Sequence, residues 1–128
     1  MASGGRVIAA EEAEKFAREW VAAWNSGDLN RILSHYADDF EMRSPLIAER
    51  GFSPDGCLRG KDAIRPYWAA GLAATPPIHF ELIGVHSGVG AIAIHYRSVG
   101  RGKIVVERIE MGPDGKGVRA EALYRDEV

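Results

Sequence analysis

Apolar residues recur along the first third of the chain at a helical period. Ala13, Phe16, Ala17, Trp20 and Trp24 stand at i, i+3, i+4, i+7 and i+11, which gathers them on one face. Glu11, Glu12 and Glu14 crowd the start of this stretch, where the helix dipole favours acids. Asn25-Ser26-Gly27 marks its end, and glycine suits the left-handed residue that closes many helices. Asp28 is placed to cap a second helix, whose apolar face is Leu29, Ile32, Leu33 and Tyr36. A third helix is predicted from about Lys61 to Leu72 on the spacing of Ile64, Trp68 and Leu72. Pro66 lies near its first turn, where a missing N–H does least harm.

Between the second and third helices, Phe40 to Ser44 alternates apolar and polar and reads as a short strand stopped by Pro45. Leu46 to Arg59 has no clean period and contains Gly51, Pro54 and Gly56. It reads as a long loop, the kind that is often functional. After Thr75-Pro76-Pro77 the chain reads as strand: Ile78–Val85, Ala91–Val99, Lys103–Met111 and Val118–Tyr124. Gly100-Arg101-Gly102 and Pro113 to Gly117 are turns, so the last three strands should form an antiparallel meander. Helices first and strands afterwards predict an α+β fold with the helices on one face of the sheet. A single domain over residues 10–128 is expected, preceded by a flexible arm of residues 1–9. Ala91 to Ile94 and Ile104 to Ile109 carry apolar residues on both sides of their strands. The helices cover one face, and a second subunit covering the outer sheet face is the expectation for the other, hence a homodimer.

Composition narrows the function. The chain has 128 residues, 27% of them charged, with a net charge of −2. No basic stripe points to nucleic acid, and no polybasic cluster or long apolar run points to a membrane. Cys57 is the only cysteine, so no intrachain disulfide forms, and a reducing, cytoplasmic setting is expected. His35, His79, His86 and His95 show no metal-ligand spacing, and no metal or other cofactor is expected.

The predicted strand Lys103–Met111 holds the strongest chemical signal. One of its faces is Val105, Glu107, Ile109 and Met111; the other is Ile104, Val106, Arg108 and Glu110. The first face is apolar except for Glu107, and placing it inward puts a carboxyl in an apolar hollow, with Tyr124 on the next strand. A one-residue slip would send Glu107 outward instead. An inward carboxyl has its charged form destabilised, so its pKa rises toward the range useful for general acid–base work. Ala120 and Ala122 leave room beside it.

Trp24-Asn25-Ser26-Gly27-Asp28-Leu29, Tyr36-Ala37-Asp38-Asp39-Phe40, Leu58 to Ile64 and Pro113 to Lys116 together resemble the SnoaL-like polyketide cyclase and ketosteroid isomerase branch of the nuclear-transport-factor-2-like superfamily. The resemblance covers about residues 10–125. It implies a cone-shaped half-barrel of curved antiparallel sheet packed on three N-terminal helices, enclosing an apolar pocket for a small apolar ligand, usually in a homodimer. By the same resemblance Glu107 falls at the position of the isomerase's oxyanion-hole acid. Ser44 stands where the general-base Asp would be, and Trp20 where the oxyanion-hole Tyr would be. Two of the three isomerase roles are thus missing, which argues against steroid isomerisation. Tyr96 and Ser98 likewise stand where limonene-epoxide-hydrolase relatives carry their charged set. The expected pocket lining is Trp20, Trp24, Tyr36, Met42, Ser44, Trp68, Ile94, Tyr96 and Tyr124, with Glu107 as the catalytic candidate. An acid–base enzyme, a ligand-binding domain and a dimerisation module all fit this pattern.

Overall fold

The computed structural model describes residues 5–128. The helix α1 (Ala10–Ser26) buries Ala13, Ala17, Trp20, Ala23 and Trp24 along one stripe and closes on Gly27, whose φ of 73° is left-handed. The Asp28 side chain accepts from Arg31 N to open the short helix α2 (Leu29–Leu33). Strand β1 (Tyr36–Arg43) leads into a one-turn helix α3 (Pro45–Glu49), capped by Ser44 Oγ, and a three-residue strand β2 (Cys57–Arg59). Helix α4 (Lys61–Ala73) buries Ile64, Tyr67, Trp68 and Gly71. Strands β3 (Phe80–Ser87), β4 (Ala91–Ser98), β5 (Lys103–Met111) and β6 (Gly117–Asp126) complete the chain.

The strands make one curved, unclosed six-stranded sheet in the order β2-β1-β6-β5-β4-β3. The helices lie against its concave face, and one continuous core joins α1, α4 and the inward residues of the strands. Val7 bridges Val89, and Ile8 N donates to Gly88 O, so the backbone just before α1 is tied to the β3–β4 turn. Residues 1–4 of the expected arm lie outside the described residues.

Four expectations need correction. Tyr36 does not extend the second helix but starts β1, which also holds Asp38 and Asp39. The stretch from Leu46 to Arg59 is not all loop, because it holds most of α3 and all of β2, so the described residues form four helices rather than three. The sheet is not wholly antiparallel, since β1 runs parallel to β6. Pro66 sits inside α4 beyond its first turn; packing of Ile64, Tyr67 and Trp68 into the core offsets the lost backbone bond.

The β1–β6 seam sets a steric limit at Gly117, which pairs with Tyr36. A Cβ there would lie 2.9 Å from both Ile109 Cγ2 and Tyr36 Cδ1. Both neighbours are fully buried and have no room to yield. Gly117→Ala should therefore destabilise the fold by about 1–3 kcal/mol in urea melts.

Candidate functional site

The register of β5 places Val105, Glu107, Ile109 and Met111 inward, all buried, while Arg108 is exposed. Glu107 is only 3% exposed. On the ladder it is paired with Ile94 of β4 and Ala122 of β6. Both neighbours are apolar, and Ala122 is small, so the carboxyl stands clear. Among the described residues its one side-chain hydrogen-bond partner is the hydroxyl of Tyr96, which donates to Glu107 Oε1 at 3.2 Å. Burial drives the carboxyl pKa up, and the Tyr96 hydrogen bond restrains the rise, leaving it at about 7. The same burial, with the negative field of Glu107, raises the pKa of Tyr36, Tyr96 and Tyr124. These phenols stay protonated and act as hydrogen-bond donors near neutral pH.

Glu107 lies at the wall of a cavity of about 210 Å³. Of the residues expected from the sequence, Trp20, Trp24, Met42, Trp68, Tyr96 and Tyr124 line it together with Glu107. Tyr36, Ser44 and Ile94 stand outside this lining. Ile94 is fully buried on the strand beside Glu107. Tyr36 stacks on Phe40 with ring centroids 4.3 Å apart, and its hydroxyl accepts from Trp20 Nε1 at 2.8 Å. The Trp20 indole N–H, which the resemblance aligned with a substrate-facing phenol, is thus used inside the protein.

Ser44 is also committed. Its Oγ accepts from Leu46 N at 3.2 Å as the cap of α3, accepts from the Tyr67 hydroxyl at 3.4 Å, and donates to the Tyr124 hydroxyl at 3.5 Å. The Tyr124 proton remains free for an acceptor in the cavity. The aromatic wall is continuous: Trp20 packs 5.2 Å from Tyr96 and 5.9 Å from Phe80, and Trp24 lies 5.0 Å from Trp68. Trp24 Nε1 is buried with no hydrogen-bond partner among the described residues.

Sequence reasoning missed several lining residues: Leu46, Arg50 and Tyr67, then Phe80, Ser98 and Arg101. Arg50 and Arg101 sit in a helix cap and a turn, where no periodicity reports which way a side chain points. Phe80 could have been found, since it opens a strand with the alternation of Leu82. Among the described residues no three His, Cys, Asp or Glu side chains converge as a metal site. His35 is occupied structurally, its ring 5.4 Å from Phe16 and Nδ1 3.0 Å from Arg31 O. Among the described residues no helix is long and apolar enough to cross a membrane.

A curved sheet with helices across its concave face, enclosing an aromatic cavity with one buried acid, defines an α+β cone of the pocket-bearing kind. The comparisons make the class specific: residues 17–125 match the SnoaL-like domain, and the chain belongs to that family. A SnoaL-like protein of unknown function from Burkholderia thailandensis is 45% identical, with a TM-score of 0.88 over 94% of this chain and 99% of that one. An NTF-2 like protein of unknown function from Burkholderia xenovorans is 18% identical, with a TM-score of 0.73 over 92% and 86% of the two chains. A Kribbella flavida protein provisionally assigned as a ketosteroid isomerase is 12% identical, with a TM-score of 0.68 over 93% and 82%. The last two likenesses speak to the fold alone. Among curated proteins, none is significantly similar to the chain.

Proposed function

We propose that the chain is a small-molecule pocket protein that performs cofactor-independent general acid–base chemistry on a small apolar carbonyl compound. The observation that carries this reading is Glu107, a buried carboxyl at the cavity wall whose pKa is pushed up to about 7. A carboxyl so poised is a strong enough base to take a proton from carbon beside a carbonyl, and a strong enough acid to return it. Tyr124, with its proton unclaimed, is placed to donate to the oxygen on which negative charge gathers. Ser44, used up as a helix cap and without a base of its own, takes no proton. Proton removal and return at one carbon therefore rest on one group, which fits an isomerisation or enolisation better than a two-carboxylate hydrolysis.

The test is α-proton exchange of 2-tetralone in D2O, followed by NMR. Exchange should rise with pH around a midpoint near 7, and Glu107→Gln should slow it about 10²- to 10⁴-fold. The commitment of Ser44 and Trp20 to internal hydrogen bonds favours a second reading, ligand binding without turnover. Tight binding of 2-tetralone with no exchange would sink the enzymatic reading in favour of that one.

The proposal includes a homodimer in the cytoplasm, joined through the outer sheet face. There Ile83 and Leu123 are 51% and 49% exposed, beside half-buried Val106. Isolated apolar residues are common on surfaces, but these share one face of a sheet whose other face is already covered. Light scattering should give twice the chain mass, and Leu123→Asp should give the monomer. A monomeric parent protein refutes this part.

A further inference from the structure

The cavity is apolar along its walls but carries uncompensated positive charge toward its exposed side. Arg50 and Arg101 both line it, and neither forms an ion pair among the described residues. Lys103, the third cation of the lining, is already paired with Asp126. The two guanidiniums converge on Gly71 of α4. Arg101 Nη2 donates to Gly71 O at 3.4 Å and to Pro76 O at 2.6 Å, while Arg50 Nη1 lies 3.4 Å from where a Gly71 Cβ would be. Arg101 is part-buried, and both desolvation and the charge of Arg50 disfavour its cationic form. The Arg50 guanidinium makes no hydrogen bond among the described residues and rests with its Cζ 6.0 Å from the centre of the Tyr67 ring. Two like charges crowded together, one partly out of water, form an arrangement that an anion would relieve.

Exposure grades along the same cavity. Glu107 is fully buried, Tyr124 half-buried, and Arg50 exposed. Tyr67, which lies beside Arg50, and Tyr124 share Ser44 Oγ and line the same cavity as Glu107.

We propose that the ligand of this pocket is an amphipathic carboxylate: its apolar body lies among Trp20, Trp24 and Trp68, its reacting end faces Glu107, and its carboxylate is gripped by Arg50 and Arg101. This rests on the cavity being a ligand site, as argued above, and replaces the wholly apolar ligand named there with one that is apolar in its body and charged at one end. The planar guanidinium fork matches a carboxylate through two parallel hydrogen bonds, which a neutral amide cannot reproduce. A neutral Glu107 does not repel such a ligand, so binding is favoured below the acid's pKa.

The test is calorimetric titration with 2-naphthoate and its neutral analogue 2-naphthamide at about pH 6, where Glu107 is mostly protonated and the probe is ionised. The carboxylate should bind about tenfold more tightly than the amide, because charge-assisted hydrogen bonds replace neutral ones. Arg50→Gln and Arg101→Gln should each weaken 2-naphthoate about fivefold and leave 2-naphthamide within about twofold, the unchanged amide affinity reporting an intact fold. Arg101 also ties two backbone carbonyls, so Arg50→Gln, which breaks no internal hydrogen bond, keeps the test sound if the Arg101 variant misfolds. Equal binding of the two probes, insensitive to both arginines, overturns the anionic assignment and leaves the pocket reading standing. Binding of neither probe removes the ligand site and this inference with it.

Discussion

Glu107→Gln should make the protein more stable than the parent by about 3 kcal/mol above neutral pH, and no more stable below about pH 4. The sign follows from the direction of the shift. Burial raises the folded-state pKa of Glu107 from 4.5 to about 7. Between those values the native protein holds a proton that the unfolded chain has released, so stability falls as pH rises through this window. Below it the group is neutral in both states, and above it ionised in both, so the loss is complete and constant. Glutamine is never charged, and its carbonyl oxygen can still accept from Tyr96. The variant should escape the penalty entirely. Glu12, Glu19, Glu41, Asp55 and Asp126 have lowered pKa values and give stability an opposite trend with pH. That trend is shared by parent and variant, so the difference between their urea midpoints isolates Glu107. A difference that stays flat from pH 4 to 9 would mean the carboxyl is not desolvated, and the acid–base proposal would lose its support. A side chain that destabilises the fold at working pH yet persists at a cavity wall is better explained by what it does to a ligand than by what it does for the core.

Much of this site was legible because it depends on local rules. A lone acid in an otherwise apolar alternation has only one inward register, and short hairpin turns fix the order of β4, β5 and β6. The failures have physical causes of their own. Tyr36 follows Ile32 by four residues, the interval of one helix face, so the pattern runs on past Leu33 and hides the start of β1. The parallel pairing of β1 with β6 joins Met42 to Ala120, and no local pattern encodes a partner that distant. Arg50 and Arg101 meet only because α3 and the β4–β5 turn both pack near Gly71 of α4. The resemblance singled out Trp20 and Ser44, but their hydrogen bonds to Tyr36 and Leu46 are properties of the folded interior.

The other large effect is expected at Trp20. Its ring is 1% exposed, packs against Trp24, Phe80 and Tyr96, and anchors α1 to β1 through the Tyr36 hydroxyl. Trp20→Ala should cost about 3–5 kcal/mol, because the stripped wall and the enlarged cavity both count against the fold. Two milder variants separate packing from polarity. Trp20→Phe keeps much of the aromatic volume but removes the indole donor, leaving the buried Tyr36 oxygen short of a partner, an added loss of about 1–2 kcal/mol. Trp24→Phe makes a similar change of shape, yet its indole N–H has no partner to lose. Urea melts at pH 5, with Glu107 protonated, should therefore rank Trp20→Ala as least stable, Trp20→Phe next and Trp24→Phe nearest the parent. Equal losses in the two phenylalanine variants would show that Trp20 acts only as wall. The expected gap instead makes it the post that holds the first helix against the strand bearing Tyr36, and so keeps the aromatic cavity open above Glu107.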